Sequence, residues 1–194
     1  MYANVRGLKG KLTSMRQILQ ENTPHLFLTT ETHLRSNAGI EIEGYTFLGR
    51  KREGKTGGGV AIFVRNDIKS NVTAHVPERN IEMLWVGIQR KNMTPFMVGV
   101  YYGKQEVRTS KDEIEREMTL LQEHIAEMQQ DGPVLLAMDG NGKIGLLGEP
   151  ISRNGKLLLQ AFESTDLTVV NSTQKCLGVI TRQNTKKNSR KISH

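Results

Sequence analysis

Apolar positions along the chain fall into two periods, and the change from one to the other marks out the elements. Leu12, Met15, Ile18 and Leu19 recur at helical spacing and predict an amphipathic helix from about Lys11 to Glu21. After Pro24 the run His25-Leu26-Phe27-Leu28-Thr29-Thr30 is short and apolar, as in a buried strand. Tyr45 to Gly49 and Gly59 to Val64 read as two strands, joined by a basic, glycine-rich loop from Arg50 to Gly58 whose cations are expected to face outward. Further strands are expected at Val72–Val76, Ile81–Gln89 and Phe96–Tyr102. From 110 to 130 the helical period is strongest. Ser110 is a candidate N-cap with Glu113 three residues on, and Ile114, Met118, Leu121, Ile125 and Met128 trace one face. Gly132-Pro133 ends that helix, Val134 to Met138 is a continuous apolar strand, and a helix from about Gly155 to Ser164 leads into a strand at Leu167–Asn171. Strand blocks alternating with helices in this order imply two stacked sheets with helices outside, an α/β sandwich.

Composition adds bounds to that pattern. The 194 residues, 37% of them apolar with 19 glycines besides, suit a globular chain, and the absence of repeats or low-complexity linkers favours one domain over 1–194. No stretch approaches the roughly 20 apolar residues of a membrane span, and Met1 to Arg6 has no apolar core of a secretory signal. Cys176 is the single cysteine, which excludes an internal disulfide framework and points to an intracellular setting. The net charge of +7 is unevenly placed: no acidic residue follows Asp166, and Lys175, Arg182, Lys186, Lys187, Arg190 and Lys191 crowd the end. Such a run attracts polyanions or is simply a solvated tail, and charge alone does not choose.

Candidate chemistry sits where apolar strands end in polar residues. Glu31 follows Phe27 to Thr30, Asp139-Gly140-Asn141-Gly142 follows Val134 to Met138, and Tyr101-Tyr102 closes Val98 to Val100. Carboxyl ends of strands in α/β folds gather at a common edge, where sites are built. Taken singly each is more often a solvated residue or a turn, since Asp and Asn bend the backbone readily. His25, His33, His75 and His124 show no metal-like spacing. Lys55-Thr56-Gly57-Gly58-Gly59 is no phosphate-binding P-loop, because G-K-[ST] is missing and a strand follows instead of a helix.

The ordered set of segments resembles the endonuclease/exonuclease/phosphatase superfamily, and within it the endonuclease domain of non-LTR (LINE-type) retrotransposons. The segments are Asn4-Val5-Arg6-Gly7-Leu8, Leu28-Thr29-Thr30-Glu31-Thr32-His33-Leu34, Gly57-Gly58-Gly59-Val60-Ala61-Ile62-Phe63, Val100-Tyr101 and Met138-Asp139-Gly140-Asn141. Asn154-Gly155-Lys156-Leu157-Leu158 and Leu167 to Asn171 complete it. The resemblance implies a four-layer α/β sandwich, two mixed sheets flanked by helices, and a Mg²⁺- (or Mn²⁺-) dependent phosphodiesterase that nicks DNA. It places Glu31 as the carboxylate metal ligand with Asn4 beside it, and Asp139 as the residue that orients or deprotonates water. Asn141 and Tyr101 become the groups that support the phosphate, with Tyr102 the less favoured choice. A hard cation that keeps several waters needs few protein carboxylates, so this donor set is chemically sufficient.

The family pattern continues with an Asp-bearing strand and a Ser-Asp-His stretch that these residues do not supply; Ser193-His194 reads as the segment before it. The expectation is therefore a domain incomplete at its C-terminal end, nicking slowly and binding DNA weakly, as a monomer. The resemblance also implies a reverse transcriptase region of a longer polyprotein as partner, and a nuclear location when the target is chromosomal DNA. Two other readings stay open: a non-catalytic nucleic-acid-binding remnant, and a phosphatase of the same superfamily acting on a small phosphoester.

Overall fold

The structure, a computed structural model, describes residues 1–54, 57–77, 81–146 and 148–173. Two four-stranded sheets stack face to face. The first has the order β1 (Tyr2–Asn4), β2 (Leu26–Thr30), β4 (Val60–Arg65), β3 (Tyr45–Arg50). The second runs β5 (Val72–His75), β6 (Met83–Arg90), β7 (Met93–Tyr102), β8 (Val134–Asp139). Both sheets are mixed. β1 and β2 pair parallel, as do β7 and β8, and the other neighbours are antiparallel.

Period-two alternation assigns each strand residue to one of three apolar layers. Leu26, Leu28, Val60, Ile62 and Val64 meet Leu84, Val86, Val98 and Val100 between the sheets. Phe27 and Phe63, on the opposite face, pack against Met15 and Leu19 of α1 (Leu12–Asn22). Trp85, Met97 and Tyr101 face α2 (Lys111–Asp131) and α3 (Arg153–Ser164). The order is helix, sheet, sheet, helices: the four-layer sandwich expected. Each buried Leu, Ile or Phe contributes roughly 1.5–3 kcal/mol by leaving water, so the strands are held chiefly by these layers.

Local signals act as the sequence suggests. Glu113 N–H donates to Ser110 Oγ at 3.3 Å while Glu113 Oε2 accepts from Ser110 N–H at 3.4 Å, the reciprocal cap that starts α2. The α2 face that buries Ile114, Met118, Leu121, Ile125 and Met128 also buries Glu117. None of the helices among the described residues is long and apolar enough to cross a membrane.

Two expectations meet a different outcome. Leu167–Asn171 forms no strand. Leu167 N–H turns back to Phe162 O at 2.8 Å, Asp166 takes a left-handed φ of 52°, and a short 3₁₀ turn occupies Val170–Ser172. Leu167 and Val169 instead pack, partly buried, against the apolar layer between the second sheet and α2 and α3. Arg52, expected to face outward with its loop, turns inward to Glu82 and lies over the Tyr102 ring, 5.4 Å from its centroid. The basic segment from Lys175 to His194 lies outside the described residues, as do Lys55 and Thr56 of the glycine-rich loop.

Candidate active site

Parallel pairing decides where the polar strand ends go. In the first sheet Asn4 is level with Thr30, the residue before Glu31; in the second, Tyr102 is level with Asp139. Both parallel pairs therefore present their carboxyl ends on one rim of the sandwich. Asn4 joins them: its Nδ2 donates to Glu31 Oε1 at 2.8 Å and to Asp139 Oδ2 at 2.6 Å. Two carboxylates facing one amide require its nitrogen, not its oxygen, on that side. Asn4 Oδ1 is left buried with no hydrogen-bond partner.

Glu31 is held by backbone on both flanks. Gly7 N–H donates to Glu31 O at 2.8 Å, with Val5 and Leu8 bonded to Thr30 and Thr32 on either side. Across the loop, Thr32 N–H reaches Gly59 O at 3.2 Å and His33 N–H reaches Gly58 O at 2.8 Å. Gly59 has φ +85°, and a Cβ there would lie 2.5 Å from Thr32 Oγ1, so glycine is required for this close approach. Glu31 and His33 are themselves left-handed, at φ 54° and 52°, a costly conformation for side-chain-bearing residues that the surrounding bonds enforce. His33 Nε2 lies 3.5 Å from Glu31 Oε2.

The Asp139 side is fixed by a turn. Asn141 N–H donates to Asp139 Oδ1 at 3.2 Å, and Asn141 Nδ2 donates to Gly103 O at 2.7 Å. Asn154, buried in the first turn of α3, donates through Nδ2 to Lys104 O at 2.9 Å and to Asn141 O at 3.3 Å. The helix approaches closely because residue 155 is glycine: a Cβ there would come within 1.8 Å of Lys143 O. Asp139 thus has N–H donors on both of its oxygens, from Asn4 and Asn141.

Four of the five residues singled out from the sequence meet at this rim: Asn4, Glu31, Asp139 and Asn141. Tyr101 does not. Strand alternation turns it to the helix-facing layer, fully buried against α2 with the Glu117 carboxylate facing its hydroxyl. Tyr102 is on the rim. Its hydroxyl accepts from Gln105 Nε2 at 3.3 Å and lies against the Asn141 side chain. Burial raises its pKa, and the nearby Glu31 and Asp139 add to the rise, so Tyr102 stays a neutral phenol. Tyr2 shares this field: it meets Thr30 Oγ1 at 3.0 Å, and burial together with Asp139 and Glu31 raises its pKa.

The profile of the Endonuclease/Exonuclease/phosphatase family matches residues 1–147. The chain belongs to this family. Among solved structures it is similar to an AP endonuclease from Leishmania major, at 14% identity and a TM-score of 0.69, covering 84% of this chain and 65% of that one. It is also similar to the 3′ phosphatase NExo from Neisseria bound to product DNA hairpin, at 17% identity and a TM-score of 0.63, covering 84% and 69%. An AP endonuclease from Archaeoglobus fulgidus gives 16% identity, a TM-score of 0.61, and 84% and 68% coverage. These likenesses establish the fold. The chain thus spans just under two thirds of the Leishmania protein's length. No curated protein matches it in sequence.

Within this family fold the rim suits a hard divalent cation. Glu31 offers a carboxylate; Asn4 turns its amide nitrogen to both carboxylates, so its Oδ1, a buried acceptor without a donor, faces away and joins a cation held by Glu31 only if the amide turns over. Among the described residues no group of three or more His, Cys, Asp and Glu converges. That donor set fits an ion that keeps water ligands, not one that requires a cage of nitrogen and sulfur. Sequence reading gave no site role to Tyr2, His33, Arg52 or Asn154, and it ranked Tyr102 behind Tyr101. Asn154 had a signal, an asparagine and a glycine opening an apolar helix, and His33 stands two residues from Glu31.

Proposed function

We propose that this chain is a metal-dependent phosphodiesterase acting on DNA, an endonuclease domain of the retrotransposon type. The observation that carries the reading is the Asn4 amide bridging Glu31 of one sheet to Asp139 of the other. Glu31, joined by Asn4 once its amide turns its oxygen to the same side, would hold Mg²⁺ or Mn²⁺, which when bound polarises a phosphate oxygen and offsets charge on the leaving oxygen. Asp139, held by Asn4 and Asn141, orients the attacking water and receives its proton. The Tyr102 hydroxyl and the second amide hydrogen of Asn141 donate to the phosphate as negative charge builds on it. In this role Tyr102 replaces Tyr101, because only Tyr102 reaches the rim.

The DNA assignment draws on the basic run from Lys175 to Lys191 and on the match of E-T-H-L and N-G-K-L-L to the retrotransposon branch, which also suggests a reverse transcriptase as partner. A structural neighbour that is a mannosyl-6-phosphatase, at a TM-score of 0.55, keeps a small-phosphoester reading in view. Plasmid relaxation with Mg²⁺, run beside phosphate release from sugar and inositol phosphates, separates the two. Slow nicking lost in EDTA and in Glu31→Ala is the expected result. Phosphate release without nicking would transfer the assignment to the phosphatase reading, and neither activity would reject both.

A further inference from the structure

A second polar cluster lies one layer beneath the rim. Glu117 is 3% exposed, on a helix face that the period otherwise reserves for Ile114, Met118 and Leu121. A carboxylate here loses hydration that an apolar residue would not need, so packing does not account for it. Its Oε2 accepts from Lys104 N–H at 3.3 Å. The Tyr101 hydroxyl faces it, buried and without a well-formed hydrogen bond of its own. Lys104 and Gly103 are the residues whose carbonyls receive Asn154 Nδ2 at 2.9 Å and Asn141 Nδ2 at 2.7 Å. Gly103 N–H in turn donates to Asp139 O at 2.9 Å.

We propose that Glu117 is a positioning residue for the rim, fixing the Gly103–Lys104 backbone and through it the side chain of Asn141. The path runs from α2 through one backbone N–H to two carbonyls, and each of those anchors an asparagine of the site. Protonation of Glu117 weakens the acceptor that holds Lys104, so the setting of Asn141 depends on pH. The charged and titratable groups facing Glu117 are Tyr101 from β7, Lys104 just after β7 and Glu82 just before β6. Burial pushes Glu117 up to about 7, Lys104 and Tyr101 oppose the rise, and Glu82 adds to it. Glu82 is itself paired with Arg52, which limits its share.

The consequence for rate rests on the phosphodiesterase reading; the coupling itself does not. The test is a ¹⁵N-resolved NMR titration of the whole chain from about pH 5 to about pH 9, around the ordinary and raised carboxylate ranges. It follows Lys104 N–H and the Asn141 side-chain amide in the wild type and in Glu117→Gln. The expected result is a shared midpoint near 7 in the wild type for both signals, absent in Glu117→Gln, which keeps the shape and the acceptor but not the charge. DNA nicking is measured alongside. Glu117→Leu should fold at least as well yet lower kcat about tenfold with KM unchanged, because a displaced donor costs rate and not substrate affinity. In Glu117→Gln the rise of rate through neutral pH should flatten. Signals that do not move near neutrality, or that move identically in Glu117→Gln, overturn the proposal. A normal titration with no hydrolysis of any phosphoester supports the coupling and removes the enzymatic reading instead.

Discussion

The interior between the two sheets and the rim above it are made from the same strands, yet they obey different rules. Between the sheets Val60, Ile62, Val86 and Val100 are buried completely, with ordinary strand backbone and aliphatic side chains only. One or two residues further along, the chain carries two carboxylates and two asparagines, left-handed backbone at Glu31, His33 and Asn141, and a buried acceptor with nothing to bond. The interior supplies stability through area removed from water; the rim consumes part of it to hold like charges and strained residues in one arrangement. A site of this kind needs the interior as its clamp. Substitutions in the two regions should therefore fail in different ways.

The largest effect belongs to the rim. Asp139→Asn and Glu31→Ala should each lower phosphodiester cleavage roughly 10²–10⁴-fold, as for loss of a general base or of the principal metal carboxylate. Thermal unfolding should change little, because like charge at the rim is relieved; a large fall in melting temperature would break the contrast. Next is the interior. Ile62→Ala, in the middle of β4, should cost about 2–5 kcal/mol in urea unfolding while the rate per folded molecule stays near wild type. Adjacent tyrosines sharpen the comparison within a single strand. Tyr102→Phe should reduce kcat by roughly 10- to 100-fold through loss of a donor to the phosphate, whereas Tyr101→Phe should change it less than about threefold. Equal effects from the two would reject the face assignment of β7.

Smaller effects test the layer beneath. Burial holds Glu117 near 7 in the fold, above the ordinary carboxylate range, so between those values the folded chain keeps a proton that the unfolded chain has released. Folding then takes up a proton, and stability falls as pH rises through that window, by roughly 1–3 kcal/mol. Glu117→Gln should remove this slope in chemical denaturation across the same range. Least of all, Ser110→Ala should cost about 1 kcal/mol by unmaking the α2 cap, with no change in rate.

Much of this protein follows from its sequence alone. Period and punctuation set α1, α2, α3 and the seven strands β2 to β8 to within a few residues, because each element buries one face and the apolar spacing records which, whereas the three residues of β1 are too few to show a period. The S-K-D-E start of α2 and the Gly132-Pro133 stop are local chemistry that needs no tertiary partner. Glu31, Asp139 and Asn141 were legible as polar residues closing apolar strands, and Asn4 only as a member of the ordered family pattern. Tertiary structure decided the rest. Which tyrosine reaches the rim depends on strand phase relative to the sheet interface, and a shift of one residue reverses it. Leu167 to Asn171 has the composition of a strand, but among the described residues no strand pairs with it, and after the turn at Asp166 Leu167 and Val169 pack against the layer beneath the helices. In the sequence nothing separates Glu117 from the other acids of its helix. Its burial, and its hold on Lys104, exist only because α2 lies across the end of β7, a relation between residues distant enough in the chain that no local pattern encodes it.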